Sequence, residues 1–241
     1  MIFLIAVGFF IAAGVCFFMG KKKYRIHQLM LNTETSDVDA LTEGPCEIQG
    51  QIDSVGSPLI SPWTQQQCVY YDFQVEERRT RRSGNTTSTY WADYITDLQA
   101  QPFTVSDQSG SVEINPGEAD FRVRTDARER SGFGDDASSE LQTLLRARYG
   151  ASTQGWVFNK TLRYSENVLA VGDTVYVFGE ARRQGDKLFI GSGLMPLIVT
   201  EDGEHFIEEG YSKSATYYVV GAIVLSVIGL GLIVLELVAW A

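Results

Sequence analysis

The sequence predicts a mainly β domain with one short helix, an OB-like β-barrel flanked by two transmembrane α-helices. Three observations predict this fold class. Apolar runs of hydrocarbon length occupy both ends of the 241-residue chain. Between them, short segments alternate apolar and polar residues, which is the period of a half-buried strand. One central segment has the spacing of an amphipathic helix, and closing the strands into a barrel would remove their exposed edges.

The first predicted span covers residues 1–20. The run from Ile2 to Gly20 has no charged residue and no proline. A helix of about 19 residues reaches about 28 Å, close to the thickness of the hydrocarbon core. Cations follow the run, whereas a cleaved signal peptide carries them before it. We therefore expect a retained anchor with its N-terminus outside and a cytoplasmic membrane flank, which comprises Lys21, Lys22, Lys23 and Arg25.

The second predicted span covers residues 215–241. Two spans place both termini outside the cell membrane and the central domain in the cytoplasm. Glu236 lies at the far end of this helix, where we expect a hydrated carboxylate. Small residues four apart permit close packing of the spans, and whether the spans pair stays open at this stage. These small residues are Gly8 with Ala12 and Ala222 with Ser226.

Composition argues against several function classes. The net charge of −10 is unfavourable for a general nucleic-acid binder. Three cysteines and two histidines are too few for a disulfide scaffold, a zinc finger or a RING domain, so we expect no metal and no cofactor. Cys46 and Cys68 fall on apolar strand faces, which is typical of packed thiols. A thiol-dependent membrane enzyme stays open as an alternative, because a base could approach either sulfur in the fold.

The region between the spans divides by composition. Residues 21–44 form the basic flank and a polar linker, residues 45–200 a β-rich domain, and residues 201–214 an acidic connector. Asp107 and Gly110 supply the turn of a short hairpin within the domain.

Two further elements of the domain have clear signals. A polar stretch centred on Ser83-Gly84-Asn85 predicts a long hairpin whose tip leaves the domain body. Ser139 followed by Gln142 fits a capping box, and Gly150 supplies a helix stop. We therefore expect one helix between Ser139 and Gly150.

Basic residues near this hairpin and before the helix form the candidate interaction surface. Cations interleaved with aromatic rings suit a protein partner, anionic lipid headgroups or nucleic acid, and a solvated face is the remaining interpretation. The acidic balance and the membrane favour a protein partner first and lipid second, and no nucleic acid is expected. The second cluster continues to Arg128 and Arg130. The surface comprises Arg78, Arg79, Arg81, Arg82, Tyr90, Trp91, Arg122 and Arg124.

A motif near the start of the β-rich domain resembles that of a known family. A Pro-Leu-x-Ser-Pro turn is followed by Cys-Val-x-Tyr. This pattern resembles the GIDE domain, also called the beside-a-membrane (BAM) domain, and the resemblance covers about residues 45–200. The motif residues are Gly50, Gly56, Pro58, Leu59, Ser61, Pro62, Cys68 and Tyr70.

The resemblance implies a domain bracketed by two membrane spans. Relatives include RING ubiquitin ligases of the mitochondrial outer membrane, and this chain resembles a RING-less relative of prokaryotic type. Ubiquitin transfer is therefore not expected. We expect a non-enzymatic two-span protein whose GIDE-type domain is an interaction or scaffold module at the membrane surface. Its expected partners are membrane lipids and another membrane or membrane-surface protein.

Three alternatives stay open. The chain could be a member of the ubiquitin-ligase family without a RING, an OB-like binder of lipid or nucleic acid through the Arg-rich hairpin, or the thiol-dependent enzyme.

Overall fold

The computed structural model describes residues 2–54, 56–84, 86–132, 134–153 and 160–240. The chain divides into two compact units, residues 36–201 and a helical unit made of the two ends. In chain order, the elements are α1 (Ile2–Leu31), β1 (Gly44–Ser54), β2 (Leu59–Ile60), β3 (Gln67–Ser83), β4 (Thr86–Ala100), β5 (Phe103–Ser106), β6 (Ser111–Ile114), β7 (Asp120–Arg122), β8 (Thr125–Ser131), α2 (Ser139–Tyr149), β9 (Leu162–Ala170), β10 (Thr174–Gln184), β11 (Lys187–Gly191), β12 (Ile198–Thr200) and α3 (Glu204–Trp240).

Five strands close into a barrel. The order around it is β1-β5-β6-β11-β10, and β10 pairs again with β1. Neighbours are antiparallel except β6 and β11, which are parallel. Strand β12 pairs with β10 in antiparallel orientation, and β7 pairs with β12 in parallel orientation. The inward positions are apolar and buried, as Ile48, Ile52 and Phe103 show. The prediction of an OB-like barrel is confirmed.

A second sheet is built from two insertions into the barrel. Strand β3 pairs with β2, β4 and β9, and β9 pairs with β8, all antiparallel. The pairing of β3 with β9 ends at Glu77, whereas its pairing with β4 continues to Ser83. The strands beyond Glu77 therefore form the protruding hairpin that the sequence predicted. Its tip residue Asn85 lies outside the described residues.

The hairpin of β5 and β6 has the predicted turn. The Asp107 carboxylate accepts hydrogen bonds from the backbone N–H of Ser109 at 2.7 Å and of Gly110 at 2.9 Å. It also accepts one from the N–H of Val38 at 2.8 Å, which fastens the linker to the domain. These donors favour the ionised form, so the pKa of Asp107 is lowered to about 2, chiefly by the Ser109 side chain.

The N-cap of helix α2 lies one residue before the predicted cap. Ser138, not Ser139, is the N-cap, because its backbone is extended (φ −51°, ψ 149°) and its side chain accepts from the N–H of Leu141. Gln142 donates to the carbonyl of Ala137 at 2.7 Å rather than completing a capping box. Gly150 ends the helix in the left-handed conformation, at φ 59°, as predicted.

In the helical unit, α1 and α3 are long and apolar enough to cross a membrane over Phe3–Leu31 and Gly210–Val238. Both exceed the predicted spans: α1 continues through the basic flank, and α3 begins within the predicted acidic connector. Lys, Arg, Gln and Leu after residue 20 favour helix, and no proline interrupts them. The linker and the connector are therefore partly helical. The side chain of Trp240 lies outside the described side chains.

The two long helices pack antiparallel through small residues seven apart. A Cβ at Gly229 would lie 3.1 Å from the Phe10 ring, and one at Gly20 would lie 3.2 Å from Val219. Gly8, by contrast, has no atom within 4 Å of a Cβ position. The seven-residue spacing is that of a coiled-coil seam, and small residues let the backbones approach. The stripes are Ala6, Ala13 and Gly20 on α1, and Ala215, Ala222 and Gly229 on α3.

Candidate functional site

One face of the second sheet is covered by α2. Phe73 and Val75 of β3 and Tyr164 of β9 pack against Leu141 and Leu145 of the helix, and all five are buried. The Tyr149 hydroxyl at the end of α2 donates to the Asp97 carboxylate on β4 at 2.7 Å. We call this side the covered face of the sheet. The opposite side packs on the barrel at Tyr70 and Leu169, and we call the part beyond this contact its open face.

Strand alternation divides the arginines of the hairpin between the two sides. Successive side chains of a strand point to opposite faces. Arg78 lies directly opposite Trp91, whereas Arg79 lies opposite Tyr90. Arg78 and Arg82 thus share the side of Trp91, and Arg79 and Arg81 lie on the other side. Arg79 also pairs with Glu77 at 2.8 Å. The four arginines between residues 78 and 82 therefore form two surfaces.

Trp91 of the edge strand β4 lies on the open face, where two guanidiniums approach its ring. The guanidinium of Arg163 on β9 is 4.5 Å from the ring centroid of Trp91, and that of Arg130 on β8 is 5.6 Å from it. Both distances suit cation–π contacts. Arg163 is also bound by the Glu76 carboxylate, which accepts hydrogen bonds from two nitrogens of the guanidinium. This hydrogen bonding raises the pKa of the Arg163 guanidinium. The ring and the carboxylate thus fix one guanidinium in place.

A small polar cleft lies among these cations. It has a volume of about 260 Å³ and is lined by Glu76, Arg128, Arg130, Arg163, Tyr164 and Ser165. Arg130 lies directly opposite Arg163, and Arg128 lies opposite Ser165. Among the described residues, neither Arg128 nor Arg130 has a carboxylate within salt-bridge distance. We call Arg78, Arg128, Arg130, Arg163 and Trp91 the basic face.

Arg122 and Arg124 do not join this surface. Arg122 ends β7, which pairs with β12 of the barrel sheet, and it forms an ion pair with Asp120 at 2.9 Å. Arg124 follows that strand, and its backbone N–H donates to Glu201 at 3.0 Å. The second cluster is thus split, since only Arg128 and Arg130 reach the basic face. The membrane flank lies within α1, where the ammonium of Lys23 is 4.5 Å from the ring centroid of Tyr211.

The turn of the sequence motif is held by a buried carboxylate. Glu166 of β9 is fully buried. It accepts hydrogen bonds from the N–H of Trp63 at 2.7 Å, the N–H of Thr64 at 2.8 Å and the Thr64 hydroxyl at 2.6 Å. The hydroxyls of Ser61 and Thr64 are 2.8 Å apart. Pro62 is also buried, and Pro58 and Leu59 lie just before the turn. The motif therefore closes a loop onto the covered face.

The remaining motif residues have packing or backbone roles. A Cβ at Gly50 would lie 2.4 Å from the carbonyl oxygen of Ser106, so only glycine permits this approach of β1 and β5. Gly56 has φ +82°, which favours glycine. Tyr70 stacks on Phe121 with ring centroids 4.0 Å apart, inside the barrel core.

The two cysteines of the β domain are packed thiols, as predicted. Burial raises the pKa of Cys46 to about 12 and that of Cys68 to about 11. Their sulfurs face the carbonyl oxygens of Gly179 and Leu59, each at 3.7 Å. Both thiols stay protonated at neutral pH, so neither is poised as a nucleophile. No group of three or more metal-ligating side chains occurs among the described residues.

Three residues of the site were not predicted from the sequence. Glu166 could have been found, because it occupies an apolar-period position between the buried Tyr164 and Val168 of β9. Arg163 and Glu76 gave no such signal, since each is a polar residue at a polar position. Only the pairing of β3 with β4 and with β9 brings them to Trp91.

The barrel and the second sheet define a β-rich domain, and the two apolar helices suggest a membrane protein. The family model named GIDE, described as an E3 ubiquitin ligase, matches residues 73–235. It covers more than half of the chain, and the chain belongs to the GIDE family. The match includes most of α3 and begins after Tyr70, so the motif residues lie before it. No curated protein and no solved structure shows a significant match.

Proposed function

We propose that this GIDE-family chain is a non-enzymatic interaction module, which two membrane anchors hold at a membrane surface and whose open sheet face docks a partner protein. One observation carries the proposal. The covered face of the sheet is filled by α2, whereas the open face presents Arg128 and Arg130, which have no carboxylate within salt-bridge distance among the described residues. Anchoring at both ends limits the height of the domain and raises the effective concentration of membrane-bound partners.

The antiparallel packing of α1 and α3 supports a two-span arrangement with both termini on one side. The cations that follow the first apolar run favour a cytoplasmic β domain. Cysteine accessibility tests this orientation in intact cells. The variant Ser88→Cys places a thiol on the exposed hairpin and is made in a Cys16→Ala background, because Cys16 is only partly buried whereas Cys46 and Cys68 are buried. We expect an impermeant maleimide to label Ser88→Cys only after the membrane is opened. Labelling of intact cells would contradict the cytoplasmic orientation.

Site-directed photo-crosslinking tests the docking face. A photoreactive amino acid replaces Ser165, which lines the cleft of the open face, or Thr143, which is exposed on α2 over the covered face. The full chain is irradiated in its own membranes. We expect a discrete protein adduct from position 165 and none from position 143. Adducts of equal yield from both positions, or no adduct from either, would overturn the proposed function.

A further inference from the structure

The cleft of the basic face holds more positive charge than its own carboxylate neutralises. Arg130 lies directly across the strand pair from Arg163, and like charges in this position are destabilising. Arg128 lies two residues along β8 and lines the same cleft. Glu76 binds Arg163, and it is the only carboxylate among the described residues that line the cleft. An incoming anion would relieve this repulsion.

The guanidiniums of Arg130 and Arg163 are held in positions that suit binding of a planar acceptor such as a carboxylate. Glu76 and the Trp91 ring hold Arg163, and Arg130 contacts the same ring. Arginine binds carboxylates through two parallel N–H···O bonds, and a fixed guanidinium loses less entropy on binding. A half-buried aromatic ring beside the cations also offers apolar contact to an aliphatic stem.

We propose that this cleft binds the carboxylate side chains of an acidic segment of a partner polypeptide. The inference rests on the proposed function, for which it names the chemistry of the partner. A bilayer presents its phosphates in a plane, which favours protruding cations over cations set in a cleft. A long nucleic acid would meet the repulsion of a chain that carries a net charge of −10. A short acidic segment would contact only the basic face and would therefore avoid this repulsion.

Direct binding of a deca-glutamate peptide tests the proposal. The full chain is held in nanodiscs of phosphatidylcholine, and the fluorescence anisotropy of the labelled peptide is followed. The test variant is Arg128→Gln/Arg130→Gln. The matched control is Arg79→Gln/Arg81→Gln, which removes the same charge from the other side of the hairpin. We expect the test variant to weaken binding about tenfold and the control by less than about twofold. Raising the salt should weaken wild-type binding.

Other outcomes reject the proposal. It fails if deca-glutamate does not bind, or if the two double variants weaken binding equally. It also fails if phosphatidylserine vesicles or oligo-dT bind through Arg128 and Arg130 while the peptide does not. A thermal melt of each variant shows that the β domain is folded, so that a loss of binding is assigned to the arginines.

The two proposals fail separately. A crosslink confined to position 165 without binding of deca-glutamate rejects only the acidic-segment inference. Binding that depends on Arg128 and Arg130, without a crosslink in membranes, rejects only the proposed function.

Discussion

The two faces of the second sheet differ although the same strands build them. On β9, Leu162, Tyr164 and Glu166 point to the covered face, and all three are buried. Arg163 and Ser165 of the same strand line the cleft of the open face. Alternation along one strand thus separates residues that hold the domain together from residues available to a ligand. The comparison predicts that changes on the covered face alter stability, whereas changes on the basic face alter binding.

The largest effect is expected from the apolar core of the covered face. Leu145 is fully buried between α2 and the sheet, so Leu145→Ala removes packed methyl groups and leaves a cavity. We expect the free energy of unfolding of the β domain to fall by about 3 kcal/mol. Urea unfolding of the full chain in detergent, followed by near-UV circular dichroism, measures this loss. Leu144→Ala, at the neighbouring half-buried position, should cost less than half as much.

Glu166 is a buried polar residue on the same face of the sheet as that apolar core. Glu166→Gln keeps the side-chain volume, but the amide has one acceptor oxygen for the three donors of Trp63 and Thr64. We expect a loss of about 2 kcal/mol in the free energy of unfolding. The fluorescence of Trp63 should report local opening of the turn. Glu118→Gln, at an exposed position, is the control, and an equal loss in both variants would contradict the role of Glu166.

These contrasts show how far the sequence could predict the fold. Alternation in β1, β5, β6 and β10 was sufficient for the barrel, because each strand has one face in the apolar core. Strand β8, Thr125–Ser131, was missed because its sequence has almost no apolar residue. It is held by backbone pairing with β9, which leaves no hydrophobic period in the sequence.

The candidate site was harder to predict than the fold for a related reason. The arginines of the hairpin were found by their density in the sequence, but density does not show which side of a strand each one takes. The contact of Trp91 with Arg130 and Arg163 joins three strands that are distant along the chain. Small residues of the helices were expected four apart, whereas the contact stripes have a spacing of seven. Both the contacts of Trp91 and the packing of the two helices depend on how separate elements pack together, and the spacing of residues within one element does not determine this.

Asp72 tests the difference between the two faces of the sheet, because it is a buried carboxylate on the same side of β3 as Glu76. Burial raises its pKa, and a hydrogen bond from Gln74 partly opposes this. A raised pKa means that the folded state favours the protonated form, so stability falls as pH rises from about 4. Asp72→Asn should therefore raise the midpoint of thermal unfolding at pH 7, and the gain should vanish near pH 3. Asp93→Asn, at an exposed position, is the control for melts across this range. A gain that is independent of pH would contradict the buried charge.

The smallest effect on stability is expected where the effect on binding is large. Arg130→Gln removes a cation–π contact with Trp91, which is destabilising, and also the repulsion from Arg163, which is stabilising. Since the lost attraction to Trp91 and the lost repulsion from Arg163 are of similar size, the free energy of unfolding should change by less than about 0.5 kcal/mol. The same urea experiment measures this change, with Arg79→Gln as control. A loss above about 1 kcal/mol would show that Arg130 stabilises the sheet, and the division between a face for folding and a face for binding would then be wrong.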